Sequence, residues 1–271
     1  MNTVGETAYY CCGVRMADAE KKPSLLNDHY ARRFMDSHGL SVFSRLKHLD
    51  ASHMCSIVRA KLIDDQLKKI LSGDQSTQVV VLGAGFDTKA FRLGGGTWIE
   101  IDDPAIIKIK NQELPVSSCT NPLARMAVDF SRDELALALQ EICTEKKTVF
   151  IIEGVFMYLD ESEIKNTLGL LKARFPEHDL LVDLMNEHFI KQYMGKYLRA
   201  IGEFNCSFKF HHQNPRGLLK ELGYKDLLTA SIFDHASELG QFWAPRFLLR
   251  ILRPKLLSGY TVNWMRQDLC E

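Results

Sequence analysis

Apolar residues recur along this chain in two rhythms. Short continuous apolar or β-branched runs predict buried strands at 78–82, 97–102, 125–128, 148–153 and 179–184. Stretches with apolar residues at helical spacing separate them. Pro104 opens one that runs to about 114, Ser131 with Glu134 three residues on caps another to about 143, and Asp160 caps a third over 161–175. Strand alternating with helix is the signature of a parallel sheet covered on both faces. Ahead of the first strand, helical spacing predicts helices over 6–15, 28–37 and 52–71. In the last, Ile57, Val58, Leu62, Ile63, Leu67, Ile70 and Leu71 share the apolar side, and Gly73 suits the C-terminal cap. Residues 186–214 carry aromatics on several faces and interrupt the alternation. A helix opened by Asn214-Pro215 and ended by Gly223, then strands at 224–232 and 258–265, complete the chain. The reading is one α/β domain: a helical cap (1–74), a nucleotide-binding core (75–185), a lid insertion (186–214) and a C-terminal part of the sheet (215–271).

The stretch QVVVLGAGFDTKAFRL, residues 78–93, gives the core its chemistry. A buried strand runs into Gly83-Ala84-Gly85, where the missing Cβ atoms let the backbone turn sharply and approach a ligand. A helix is expected over 86–91, with Asp87 and Thr88 near its start. A dinucleotide-binding turn wants a third glycine three residues on, and that position is Thr88. The second strand ends in Asp102, about 20 residues after the glycines, where a carboxylate binds a ribose hydroxyl pair. A ribose acid without a pyrophosphate clamp suits an adenosine cofactor lacking phosphates, S-adenosylmethionine, over a nicotinamide dinucleotide.

Composition narrows the classes. The 271 residues carry 34 Lys and Arg against 34 Asp and Glu, so there is no electrostatic footprint for nucleic acid and no polybasic membrane anchor. The seven cysteines have no C-x-x-C spacing, which argues against zinc and for reduced thiols. With no signal-like leader and no bilayer-length apolar run, a soluble cytoplasmic protein is expected. The G-x-S-x-G elbow, H-E-x-x-H and the Walker pattern are all absent.

Single residues at strand ends carry alternatives. Glu153 closes the fourth strand, where open α/β sheets present ligand-facing groups. It contacts either the cofactor's amino-acid end or the substrate, or it caps a backbone amide. Tyr158 lines the same mouth or packs under the lid. Arg59, inside an apolar helical stretch, either snorkels to solvent or turns into a cleft and pairs with a carboxylate. Asp129 ends the third strand, where adenine is bound, or caps a helix. His211 and His212 are the candidates if a base is required.

These residues sit within motifs that resemble the leucine carboxyl methyltransferase family of class I S-adenosylmethionine-dependent methyltransferases. The motifs are GETA (5–8), LLNDHYARRF (25–34), VRAKLIDDQL (58–67), the glycine stretch (78–93), EIDDPAIIKIK (100–110) and FIIEGVFMYL (150–159). That family includes an enzyme that methylates the C-terminal leucine of a protein phosphatase, and bacterial O-methyltransferases of polyketide type. The resemblance implies a Rossmann-like fold whose seven-stranded sheet is mostly parallel with one antiparallel strand. It implies Gly83, Ala84 and Gly85 near the cofactor's methionine part, Asp87 among the cofactor-binding residues, Asp102 at the ribose, Asp129 and Phe130 at the adenine, and Glu153 at the amino group. Arg59 would pair with a cofactor or acceptor carboxylate, Arg15 would assist, and Tyr158 would face the acceptor. His29 replaces the family's usual proline and Lys89 a common arginine, and neither is expected to touch the chemistry. Beyond residue 186 the resemblance is weak. The expected reaction is O-methylation of a carboxylate or hydroxyl of a small, polyketide-like acceptor. A protein C-terminus, a nicotinamide-dependent oxidoreductase and a non-catalytic adenosine-binding module are the alternatives, and the oligomeric state is unassigned. No metal site is expected.

Overall fold

The computed structural model describes residues 4–130 and 134–267. Three helices, α1 (Val4–Ala19), α2 (Ser37–Leu46) and α3 (Asp50–Gly73), precede the first strand, β1 (Gln78–Leu82). Then follow α4 (Lys89–Arg92), β2 (Thr97–Asp102), α5 (Pro104–Glu113), β3 (Leu123–Ala127), α6 (Glu134–Gln140), β4 (Thr148–Ile152), α7 (Glu161–Arg174) and β5 (His178–Met185). The remainder is α8 (Glu187–Tyr193), α9 (Gly195–Gly202), α10 (Pro215–Glu221), β6 (Tyr224–Ser231), α11 (Ile232–Glu238), α12 (Arg246–Leu252), α13 (Pro254–Leu257) and β7 (Tyr260–Gln267).

The seven strands form one sheet in the order β3-β2-β1-β4-β5-β7-β6. Only β7 runs antiparallel, to both β5 and β6. Every residue of β1, β4 and β5 is buried. Side chains alternate across a pleated strand, so Val79 and Val81 enter one apolar core while Val80 and Leu82 enter the other. The first core is closed by α1 and α3 and the second by α6, α7 and α10. Strand order reverses between β1 and β4, which opens a crevice at their carboxyl ends. Asp160 starts α7 with a capping box to Glu163. Asn214 starts α10 by accepting the Gly217 N–H.

Several predicted elements are replaced by others. The helix expected over 28–37 is one 3-10 turn, Ala31–Phe34, followed by α2, which the residue pattern did not suggest. The cause is a buried carboxylate. Asp28 accepts Arg15 Nε at 2.9 Å and the Ala31 N–H at 3.2 Å, which holds the chain in a turn, and Asp36 then caps α2. The helix expected over 86–91 is the short α4. Phe86 is drawn into the core against Phe34 and Tyr9, and Asp87 accepts the Lys89 N–H at 2.7 Å, so the helix starts late. Gly73 lies inside α3, which Asp74 ends. Ser131 lies outside the described residues, and Glu134 instead accepts the Asp129 N–H at 2.9 Å. The 186–214 segment is α8, α9 and a non-helical return.

Candidate active site

Each crevice residue arrives on a strand end or on the cap. The turn after β1 takes positive φ at Gly83 (69°) and Gly85 (47°), a region that costs an L-residue energy. A Cβ on Gly83 would stand 2.4 Å from Val155 Cγ2. Asp102, at the end of β2, accepts the Gly85 N–H at 2.5 Å and the Asp103 N–H at 2.6 Å. Burial raises its carboxyl above the ordinary range, partly offset by those two N–H groups.

From β4, β5, α3 and α4 comes a buried ladder of alternating charge. Asp87 Oδ2 accepts Lys89 Nζ at 2.8 Å, and the same ammonium donates to Glu153 Oε2 at 2.5 Å. Glu153 Oε1 accepts Arg59 Nε at 3.0 Å. Arg59 Nη1 donates to Asp183 Oδ2 at 3.3 Å and to the Tyr260 hydroxyl at 2.9 Å. Asp183 is fixed further by the Gly154 N–H at 2.6 Å and the Tyr260 hydroxyl at 2.9 Å. Burial would raise Glu153, but Lys89 and Arg59 outweigh it, so its carboxyl lies below its ordinary value. Asp87 is held low in the same way, burial being overcome by Lys89 and Arg15. A second run, Arg15–Asp28–Arg92–Asp64, lies beside the first. Arg15 also donates to the Phe86 carbonyl at 2.6 Å, tying α1 to the glycine loop.

Lys89 is therefore a correction to the sequence reading, which expected its side chain to lie away from the chemistry. Its four-carbon stem is long and flexible enough to fold back from α4, and two buried carboxylates repay the ammonium for leaving water. Asp183 and Tyr260 were not among the candidates. An aspartate within the apolar run DLLVDL is a legible signal, because a buried carboxylate needs a partner; Tyr260 offers no such signal.

Arg59 also borders a partly open cavity of about 30 Å³, room for one or two waters. Tyr10 and Cys11 of α1 and Cys55 of α3 form one wall. Met194 and Tyr197, with Phe208 from the return after α9, form the opposite one, and Met157 and Met185 complete it. The remaining side of the guanidinium is lightly used, with Nη2 4.0 Å from Cys11 Sγ. Tyr10 is 2% exposed, and its buried hydroxyl has no hydrogen-bond partner among the described residues.

The other candidates separate. Tyr158 does not line the cavity; its ring packs on Phe208 and its hydroxyl bonds to Thr7 and Tyr197. Asp129 is half-buried and Phe130 is exposed, both following β3 at the rim. His211 faces the Phe208 carbonyl and His212 takes the Asn214 N–H, and neither borders the cavity. Among the described residues no metal-ligand cluster occurs, and no helix is long and apolar enough to cross a membrane.

The ladder holds three carboxylates and two cations, Asp87, Glu153 and Asp183 against Lys89 and Arg59, hence one net negative charge. That balance and the glycine cradle fit a ligand with one net positive charge, such as a sulfonium amino acid joined to adenosine.

A family model for leucine carboxyl methyltransferase matches residues 8–172. An S-adenosyl-L-methionine-dependent methyltransferase of Gibberella zeae is 25% identical over 283 residues, spanning 94% of this chain and 93% of its own. A Streptomyces coelicolor protein, provisionally named for the same activity, is 32% identical over 191 residues, and the match spans 64% of this chain and 65% of that one. A DUF574 family protein from Streptomyces avermitilis shares the fold, with a TM-score of 0.62 at 11% identity over 89% of this chain and 97% of that one.

Proposed function

The chain belongs to the leucine carboxyl methyltransferase family, whose methyl donor is S-adenosyl-L-methionine, and on that premise we propose that it methylates a carboxylate oxygen of a small-molecule acceptor. The nicotinamide alternative falls with the family assignment. The observation that carries the proposal is the cavity beside Arg59. It is lined mainly by apolar, aromatic and sulfur-bearing side chains together with Ser52 and Ser56, and it has one underused guanidinium edge and one orphaned hydroxyl, Tyr10. A pocket that is mostly apolar with a few converging polar groups is the form small ligands take.

When bound, the sulfonium supplies a methyl group already activated for displacement. Gly83, Ala84 and Gly85 would allow close backbone approach, and Asp102 would hold the ribose. Asp129 and Phe130, which follow β3 at the rim, would contact the adenine. Glu153, kept ionised by Lys89 and Arg59, and Asp87, kept ionised by Lys89 and Arg15, would receive the amino group. Arg59 Nη2 and the Tyr10 hydroxyl would orient the acceptor carboxylate, which holds its oxygen in line and supplies the rate through positioning. An ionised carboxylate needs no general base, and among the described residues lining the cavity there is no histidine, aspartate or glutamate. The cavity holds only a water or two, so a larger acceptor would need the Met194, Tyr197 and Phe208 wall to yield.

The test uses methyl-labelled S-adenosyl-L-methionine with a panel of aromatic and aliphatic carboxylic acids, matched phenols, and a peptide ending in leucine. A carboxylate product is a methyl ester and releases volatile methanol in mild alkali. An alkali-stable product on phenols alone would move the reaction to a hydroxyl. Label on the peptide alone would make the acceptor a protein C-terminus.

A further inference from the structure

The insertion between β6 and β7 leaves the sheet at the end where β1, β2 and β4 deliver Gly83, Asp102 and Glu153. Its helix α12 buries Leu249 beneath it, and Ala244 is buried just ahead. The other apolar side chains point outward. Trp243 is 88% exposed and Ile251 72%, with Phe247 and Leu252 nearly as open and Leu248 partly so. Within α12 Phe247 and Ile251 lie one turn apart, as do Leu248 and Leu252, so these four form one face, and Trp243 stands in the turn just ahead of it. Singly exposed apolar residues are ordinary, but a contiguous exposed apolar face marks an interaction site.

Charge decides the occupant. From Leu239 to Gln267 there is no Asp or Glu, whereas Arg246, Arg250, Arg253, Lys255 and Arg266 all fall in that stretch. Arg246 and Arg250 turn back onto Asp234 of α11, at 2.6 and 3.1 Å, which fastens the helix to the body. Arg253 and Lys255 are exposed and pair with no carboxylate among the described residues. The neutral overall charge conceals this local excess. A second copy bound about a two-fold axis would set the same patch against itself and bring Arg250, Arg253 and Lys255 towards their own counterparts. An anionic phospholipid surface offers the complement to both features, headgroups for the bases and acyl chains for Trp243, Phe247 and Ile251.

We infer that α12 and the turn before it dock this enzyme on anionic membrane surfaces, with the apolar face inserted and Arg253 and Lys255 at the headgroups. This is a surface association and involves no membrane-spanning segment.

The full-length protein is mixed with phosphatidylcholine vesicles with or without one quarter phosphatidylserine, at low salt, and sedimented. Trp243 emission is followed in parallel, because Trp98 is fully buried and Trp264 half-buried. The expected result is sedimentation with phosphatidylserine vesicles only, with a blue shift that Trp243→Ser abolishes. Arg253→Ala with Lys255→Ala should weaken binding roughly thirtyfold, and Trp243→Ser with Phe247→Ser at least about tenfold. Circular dichroism and S-adenosyl-L-methionine titration should match wild type in both variants, since these side chains are exposed and none takes part in the crevice's hydrogen bonds. No sedimentation with phosphatidylserine vesicles overturns the inference, as does sedimentation unchanged in the variants. A concentration-dependent dimer that Trp243→Ser with Phe247→Ser dissociates, without vesicle binding, assigns the face to a second copy. Vesicle binding needs no acceptor, so these results are independent of the methyl-transfer assignment.

Discussion

Replacing Arg59 by Met removes a buried cation of similar length and leaves two acids behind. Cutting one partner out of a buried ion pair costs about 3–5 kcal/mol. Here the low end applies, because neither acid is stranded. Glu153 keeps Lys89 Nζ at 2.5 Å, while Asp183 keeps the Gly154 N–H and the Tyr260 hydroxyl. A loss of about 3 kcal/mol lowers Tm by roughly 6–12 °C in a domain of this size. The protein should still fold, since domains carry about 5–15 kcal/mol. Turnover should fall at least about a hundredfold, because the acceptor loses its anchor and a small misplacement has that effect. Arg59→Lys should recover part of the stability, reaching one carboxylate, but little of the turnover, lacking the two-pronged fork. Thermal melting followed by circular dichroism, calorimetric titration with S-adenosyl-L-methionine, and labelled methyl transfer are measured on all three proteins. A Tm within about 2 °C of wild type in Arg59→Met would refute the ion-pair reasoning. A lowered Tm with near wild-type turnover would keep Arg59 as a structural group and remove it from the acceptor site.

Three further outcomes are expected. Gly83→Ala should cost about 1–2 kcal/mol for its φ of 69°, plus displacement of Val155, and should weaken cofactor binding by calorimetry; wild-type affinity would mean that the loop does not carry the ligand. Tyr10→Phe should leave Tm equal or slightly higher, because it deletes an unsatisfied hydroxyl, while raising the acceptor KM; an unchanged KM would remove the hydroxyl from the site. Asp87 and Glu153 are depressed in the fold, so their stabilisation is full above their ordinary values of 3.8 and 4.5 and is lost as pH falls through the folded values. Tm measured from pH 7 down to 3 should therefore drop below about pH 4.5 in wild type and drop less steeply in Glu153→Gln; parallel curves would contradict the assignment.

The fold was legible where one physical signal acts alone. β1 and β2 begin and end at the predicted bounds, because a strand buried on both faces is mostly apolar, and in β2 the buried Glu100 is paired with Lys110 and Arg125. The caps of α7 and α10 were legible from Asp160 and Asn214, whose side chains accept backbone N–H groups within three residues. Elements whose form depends on a distant partner were not. The 28–37 stretch has helical spacing, yet Asp28 answers to Arg15. The 86–91 stretch does too, yet Phe86 answers to Tyr9 and Phe34. The basic, apolar-faced α12 was overlooked because a whole-chain charge count averages its bases against acids elsewhere.

By itself, then, the sequence determined the alternation of strand and helix, the glycine turn, and the acid at the end of β2. All are local, set by side-chain periodicity and by which residues tolerate positive φ. It also held the motifs that place the chain in its family. Tertiary structure alone decided which charges meet. Arg59, Lys89, Glu153 and Asp183 are separated by long stretches of chain and brought together by the carboxyl ends of β4 and β5 and by α3 and α4. It also set Tyr10 rather than Tyr158 at the cavity, because a hydroxyl's place depends on which neighbours reach it first: Thr7 and Tyr197 take the one and leave the other unpaired.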